Sequence, residues 1–316
     1  MLADEVNVYS YRQPELVEPL FAAFTAETGI KVNTVFLNKG MAERLKAEGS
    51  RSPADLAFTT DIGRLSALQD ADVLQPYTSD TLEANVPAQF RDPDGLWTGL
   101  TTRARAVYAS KDRVSEEAIT YEDLASDTWK GRICTRSGLH AYQVALTAAV
   151  IEKYDEATAK TWLEGLKSNL ARKPQGNDRA QVKAVSEGVC DIAIGNTYYM
   201  ALMLKDAEQK AWADAVRIIF PTFEDGGTHV NISGVALTKA APNRDNAIKL
   251  IEFLTSPEGQ SLYAQVNDEY PVSPGITSPS VISSFGSFDA DDASLQDIVA
   301  ARPAAIRITE EVDYDG

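Results

Sequence analysis

Histidine and cysteine are scarce in this chain of 316 residues, with 2 copies of each. A structural zinc site needs clusters of these donors at short spacings, and none is present. The same shortage argues against a Ser-His-Asp catalytic set. No Gly-x-Ser-x-Gly elbow, phosphate-cradling Walker loop or Asp-rich calcium loop occurs either. No run approaches the roughly 18 consecutive apolar residues of a membrane span, so direct membrane insertion is not expected. Positive charge is in deficit. Lys and Arg number 30 against 46 Asp and Glu, a net charge of −16, which argues against a nucleic-acid partner or an anionic membrane surface. Such a balance suits an exported, highly soluble protein.

What is present is ample apolar material. Hydrophobic residues make up 44% of the chain, enough for the two cores that a protein of this length is expected to build. The opening residues 1–5 lead almost at once into a strand-like run at 6–9, as expected of a mature domain whose leader has been removed. Residues 14–27 read as a helix entered at Pro14 and stopped by Gly29, residues 31–36 as the next strand, and residues 54–60 as a third, with Asp61 as a helix cap. Alternation of this kind predicts an α/β fold, with mostly parallel sheets flanked by helices. The same grammar restarts after the extended run at 99–108. It gives a strand at 131–136, helices at 142–154 and 156–170, a helix at 181–187, a strand at 189–194, and a helix from Tyr198. The run at 231–238 is extended enough to cross back. Residues from 278 onward read as short helical pieces, and the acidic stretches at 289–292 and 310–315 as solvated surface. Cys134 and Cys190 both lie in strand-like segments, where a single disulfide and two buried thiols are alternatives.

The most informative local feature is Gly195-Asn196-Thr197-Tyr198-Tyr199, where an apolar strand gives way to a helix. Ligands of open α/β sheets bind beyond the carboxyl ends of strands. Tyr198 and Tyr199 follow one such strand and Tyr142 follows another. Tyr11, Arg12 and Gln13 follow the first strand, and Thr60 and Asp61 the third. Three phenols that become phenolates match the charge and hardness of one Fe3+ ion. They leave about half of an octahedral shell unfilled, which a small chelating anion, carbonate or bicarbonate, would complete. Arg103 and Arg12 are suited to hold it through paired hydrogen bonds, and the Ser137-Gly138 turn would add backbone donors. Taken singly, any tyrosine here has a packing explanation, and each arginine can pair with a carboxylate. His140 and His229 read as surface or supporting groups, with His140 close to Tyr142.

On these residues the chain resembles the periplasmic ferric-iron-binding proteins of ABC transporters, within the wider group of two-lobed solute receptors. The resemblance is carried by Val8-Tyr9-Ser10-Tyr11-Arg12-Gln13, Leu100-Thr101-Thr102-Arg103, Arg172-Lys173-Pro174-Gln175-Gly176, Asn196-Thr197-Tyr198-Tyr199 and, less specifically, Ser256-Pro257-Glu258-Gly259-Gln260. It implies two α/β lobes joined by crossing strands, with residues 1–101 and 227–277 in one lobe and 102–226 and 278–316 in the other. It also implies iron held between the lobes, a periplasmic location, and delivery by a monomer to an inner-membrane permease. Tyr142, Tyr198 and Tyr199 fall on the family's three tyrosine ligand positions. The His-Tyr or His and Glu contribution that many members add is missing, since the first loop reads Arg12-Gln13-Pro14. That departure resembles the three-tyrosine, carbonate-dependent branch and leaves Tyr11 as a lesser fourth ligand. The alternatives are a receptor for a small organic anion or polyamine in a tyrosine-lined cleft and, from another class, a cleft enzyme on the same fold.

Overall fold

The computed structural model describes residues 4–277 and 281–316. Strand β1 (Glu5–Ser10) leads into helix α1 (Pro14–Thr28). Pro14 starts that helix without wasting a hydrogen bond, and Gly29 ends it with φ of 76°, its N–H donating to the Thr25 carbonyl. Next come β2 (Lys31–Phe36), α2 (Met41–Glu48), β3 (Leu56–Thr59), α3 (Ile62–Asp70), α4 (Asp80–Asn85) and the long strand β4 (Trp97–Ser110). They are followed by β5 (Ile133–Cys134), α5 (Ala141–Lys153), α6 (Glu156–Ser168), α7 (Asp178–Ser186), β6 (Ile192–Asn196), α8 (Thr197–Lys205), α9 (Lys210–Asp214) and β7 (Val216–Ile219). The chain then runs through β8 (Val230–Leu237), α10 (Arg244–Thr255), α11 (Pro257–Asn267), β9 (Tyr270–Pro271) and α12 (Leu295–Glu311).

These elements form two compact units, Met1–Thr102 with Asn231–Ser280 and Arg103–Val230 with Val281–Gly316. In the first unit, β1 pairs in parallel with β2 and β3, and β8 runs antiparallel to β3. Its core gathers Val6, Val8, Leu20, Phe24, Phe58, Leu250, Leu254 and Tyr263. In the second unit, β5 and β6 are parallel, while β4 runs antiparallel to both β6 and β7. Tyr108, Val182, Val185, Met200, Met203 and Val216 form a core there. Parallel pairing is thus confined to strands joined through helices, and the strands that contain the boundaries between units run against them.

Cys134 and Cys190 are joined in a disulfide with Cα atoms 5.9 Å apart. Cys190 precedes β6 instead of lying within it. The end of α7 accounts for this: Gly188 adopts φ of 76° and the Val189 N–H bonds back to the Ala184 carbonyl, so β6 begins at Ile192 and not at 189 as the apolar run suggests. α7 itself starts at Asp178, ahead of the expected 181, because the Asn177 side chain caps it by accepting from the Ala180 N–H.

The C-terminal stretch differs most from the sequence-based expectation. Its start at 278–280 lies outside the described residues, and the remainder contains a helix of 17 residues, α12, that lies along α5. The acidic stretches also do more than face water. Asp291 is buried, receives the Gly227 N–H at 3.0 Å and pairs with Lys153 at 3.2 Å. Asp315 binds the turn that enters α5.

Candidate functional site

The three tyrosines singled out in the sequence all lie in the second unit, and the fold brings them together. Tyr142 sits in the first turn of α5, and Tyr198 and Tyr199 in the first turn of α8. The Tyr142 and Tyr198 hydroxyls are 3.0 Å apart, and the Tyr198 and Tyr199 rings lie 4.3 Å apart, tilted by 31°. All three residues are partly buried.

The local sequence dictates this meeting. β6 delivers Tyr198 and Tyr199 at its carboxyl end, and Gly195 is essential to that delivery. A Cβ at Gly195 would lie 2.1 Å from Cε2 of Tyr108, whose hydroxyl donates to the Asn196 carbonyl at 2.6 Å. On the other side, His140 caps α5, its Nδ1 accepting the Tyr142 N–H at 3.2 Å, with the two rings edge to face at 4.7 Å. Burial, aided by the Arg136 charge, pushes the His140 imidazole down to about 4, so it is neutral at physiological pH.

The surroundings of Tyr198 and Tyr199 favour their neutral phenol form. Burial is the main cause that raises both Tyr198 and Tyr199, and the closeness of Tyr142 adds to it. Arg103, which is buried, opposes this at Tyr198. A highly charged cation reverses the balance, because it stabilises three phenolates at once.

The anion-holding candidates are distributed differently. Arg103 belongs to the unit of the tyrosines. The Ser137 and Gly138 donors are already engaged: the Ser137 hydroxyl and the Gly138 N–H both donate to the Asp315 carboxylate, at 2.5 and 2.7 Å. In the other unit, Arg12 donates to Glu269 at 2.8 Å and to Ser233 at 2.5 Å, and Gln13 is exposed at the start of α1. Tyr11 accepts the Met41 N–H at 2.8 Å, and the Arg64 guanidinium lies over its ring at 4.2 Å. Thr60 lies just past β3, and Asp61 caps α3 by accepting from Gly63 while also receiving the Asn231 side chain. His229 is buried instead of exposed, and burial holds its imidazole down at about 4. Among the described residues no group of three or more His, Cys, Asp or Glu side chains is placed to hold a metal, so phenols are the concentrated oxygen donors.

Sequence reading missed the buried layer behind the tyrosines. Asp178 accepts hydrogen bonds from Arg105, Arg136 and the Asn196 N–H. One signal was available: Arg103 and Arg105 alternate on a strand that is otherwise uncharged, so a buried carboxylate partner was to be expected.

Known proteins resemble this chain along nearly its whole length. Iron uptake protein A1 of a Synechocystis species is 45% identical, the alignment covering 98% of this chain and 87% of the relative. The crystal structure of Mannheimia haemolytica ferric iron-binding protein A in an open conformation superposes with a TM-score of 0.94 at 51% identity, covering 99% of this chain and all of the other. A Trichodesmium protein, FutA, in complex with iron and citrate ligands gives a TM-score of 0.92 at 42% identity, covering 98% and 99% of the two chains. Residues 9–261 match one family along most of the length from β1 to α11, and with that match the chain belongs to the bacterial extracellular solute-binding proteins.

Proposed function

We propose that this protein is an extracytoplasmic ferric-iron receptor that takes Fe3+ on the phenolates of Tyr142, Tyr198 and Tyr199 and hands it to an ABC permease. The observation that carries this reading is the convergence of the phenols, with the Tyr142 and Tyr198 hydroxyls 3.0 Å apart and the Tyr199 ring 4.3 Å from that of Tyr198. The ferric-iron-binding names of the relatives, at identities up to 51%, support it. Fe3+ is a hard acid, and three anionic oxygens neutralise its charge without a thiolate or imidazole.

Arg103 is the guanidinium we assign to a synergistic anion in the second unit. Carbonate is our first choice, and the citrate in the Trichodesmium complex supports a chelating carboxylate as the second. Arg12, already bound to Glu269, is a weaker anion holder, and Tyr11, already used by the α2 backbone, stays outside the ligand set. The protein is a binder and not an enzyme on this reading, acting as a monomer in the periplasm.

The test is an aerobic titration of the iron-free protein with a chelated ferric salt, with carbonate, with citrate and with neither. A phenolate-to-iron absorption band that saturates at one iron per chain is expected, strengthened by one of the two anions. A protein that stays colourless overturns the proposal, and saturable calorimetric binding of an organic solute in its place would favour the small-solute reading.

A further inference from the structure

Asp178 is fully buried, yet it carries no hydrophobic role and lies outside the tyrosine set. Its Oδ2 accepts from Arg105 Nη1 at 2.9 Å and from the Asn196 N–H at 2.8 Å, and its Oδ1 accepts from Arg136 Nη1 at 2.8 Å. The three donors come from three segments. Arg136 stands in the connection from β5 to α5, which leads to Tyr142; Asn196 ends β6, directly before the helix of Tyr198 and Tyr199; Arg105 lies on β4, opposite Asn196. One carboxylate therefore ties together the segments that present the phenols.

The charges do not cancel. Two guanidiniums face one carboxylate, and Arg105 Nε and Nη2 and Arg136 Nε are buried without hydrogen-bond partners. Excess buried positive charge is unfavourable unless something electron-rich lies against it. What lies against it is the Tyr142 ring, with the guanidinium carbons of Arg136 and Arg105 at 5.1 and 6.0 Å from its centroid. A neutral phenol satisfies such cations weakly; a phenolate, with its negative charge spread into the ring, does so far better.

We propose that the Asp178, Arg105 and Arg136 cluster is the positioning and charge-matching base of the iron site, in which Asp178 fixes the two tyrosine-bearing segments and the guanidiniums face the Tyr142 ring as a phenolate. This rests on the assignment of iron to the three tyrosines. None of the three cluster residues belongs to the proposed ligand set, so each acts through the residues it holds.

The experiment compares Arg136→Gln, Asp178→Asn and Tyr198→Phe with the unaltered chain in ferric citrate titrations, with amide hydrogen exchange measured on the iron-free proteins. A cation near a phenolate makes its electrons harder to donate to iron. Arg136→Gln should therefore move the absorption band to longer wavelength, whereas a packing role alone would leave the band in place; because the phenolate also loses its counter-charge, ferric binding should weaken at least tenfold. Asp178→Asn should speed exchange at Asn196 at least tenfold, since a neutral amide holds neither guanidinium firmly. If that variant fails to melt cooperatively, Arg136→Gln decides. An unshifted band and unchanged affinity in Arg136→Gln overturn the inference while leaving the tyrosine reading intact. Full retention of band and affinity in Tyr198→Phe overturns the tyrosine reading itself.

Discussion

Gly195 is small because Tyr108 fills the space where its side chain would stand. Gly195→Ala must displace a fully buried ring and the Asn196 carbonyl that it holds. Overpacking of this kind costs about 1–3 kcal/mol. The expected outcome is a lower melting temperature together with weakened ferric binding, because the strand end that Gly195 shapes leads into Tyr198 and Tyr199. The phenols themselves divide by position. Tyr199→Phe removes an anionic oxygen and should weaken iron binding by at least roughly a hundredfold, more than the 10–100-fold usual for groups behind a ligand. Tyr9→Phe should change it by less than about tenfold by that same comparison, because the Tyr9 hydroxyl binds Glu48 in the other unit; equal losses in the two variants would refute the ligand assignment. His229 gives a pH prediction. Its imidazole is held at about 4 in the fold, chiefly by burial. The unfolded chain binds that proton near ~6.5. Between these values the unfolded state carries more protons, so stability is complete above the upper value and falls as pH drops toward the lower, by on the order of 3 kcal/mol. Denaturant melts at pH 7.5 and 4.5 check it, and His229→Asn should show the smaller difference.

At the scale of elements, the entrance to α5 depends on the far end of the chain. Gly138 has no Cβ because Tyr314 and Thr309 lie where one would be, at 2.5 and 2.8 Å. Tyr314 is buried and its hydroxyl is 3.0 Å from that of Thr135. Asp315→Ala removes an acceptor for Gly138 and Ser137 and should cost about 1 kcal/mol, as lost caps do. Tyr314→Ala leaves a cavity and should cost about 3 kcal/mol. Both should appear as lowered melting temperatures, with Tyr314→Ala also weakening iron binding through Tyr142. This tail is where sequence reading failed. The Ser, Asp and Gly that open it argue for short pieces, yet α12 is continuous, even through Pro303, because Ala305, Ile308 and Thr309 bury one face. The tyrosine pair was legible because strand, Gly and helix follow one another within a few residues. Asp178 was not, since an acidic residue at a helix start reads as a favourable dipole interaction, and only tertiary pairing with Arg105 and Arg136 shows its burial. The α/β class was readable from alternation and the division into two units from chain length and the restart of the pattern, whereas the antiparallel course of β4 beside β6 depends on contacts distant in sequence.

For the molecule as a whole, iron capture should exchange protons for metal. Each phenol that becomes a ligand must give up its proton, so ferric affinity should fall on acidification by roughly tenfold per pH unit for each proton displaced. Weakly buffered titration, with proton release counted against iron bound, measures this directly; release near zero would contradict three phenolate ligands. The disulfide acts on the same site from behind. It bridges positions 56 apart in sequence, and by chain entropy its removal should cost on the order of 4 kcal/mol. Cys134 opens the segment that ends at Tyr142, and Cys190 the one that ends at Tyr198 and Tyr199. Thiol reduction of the iron-free protein should therefore lower ferric affinity as well as stability, and unchanged affinity after verified reduction would sink the link. If affinity falls with the bridge as expected, oxidation would also set the time of metal capture. A chain still holding two thiols would compete poorly for iron, and one that has closed the Cys134–Cys190 bond would compete well, so it would not drain iron from a reducing compartment.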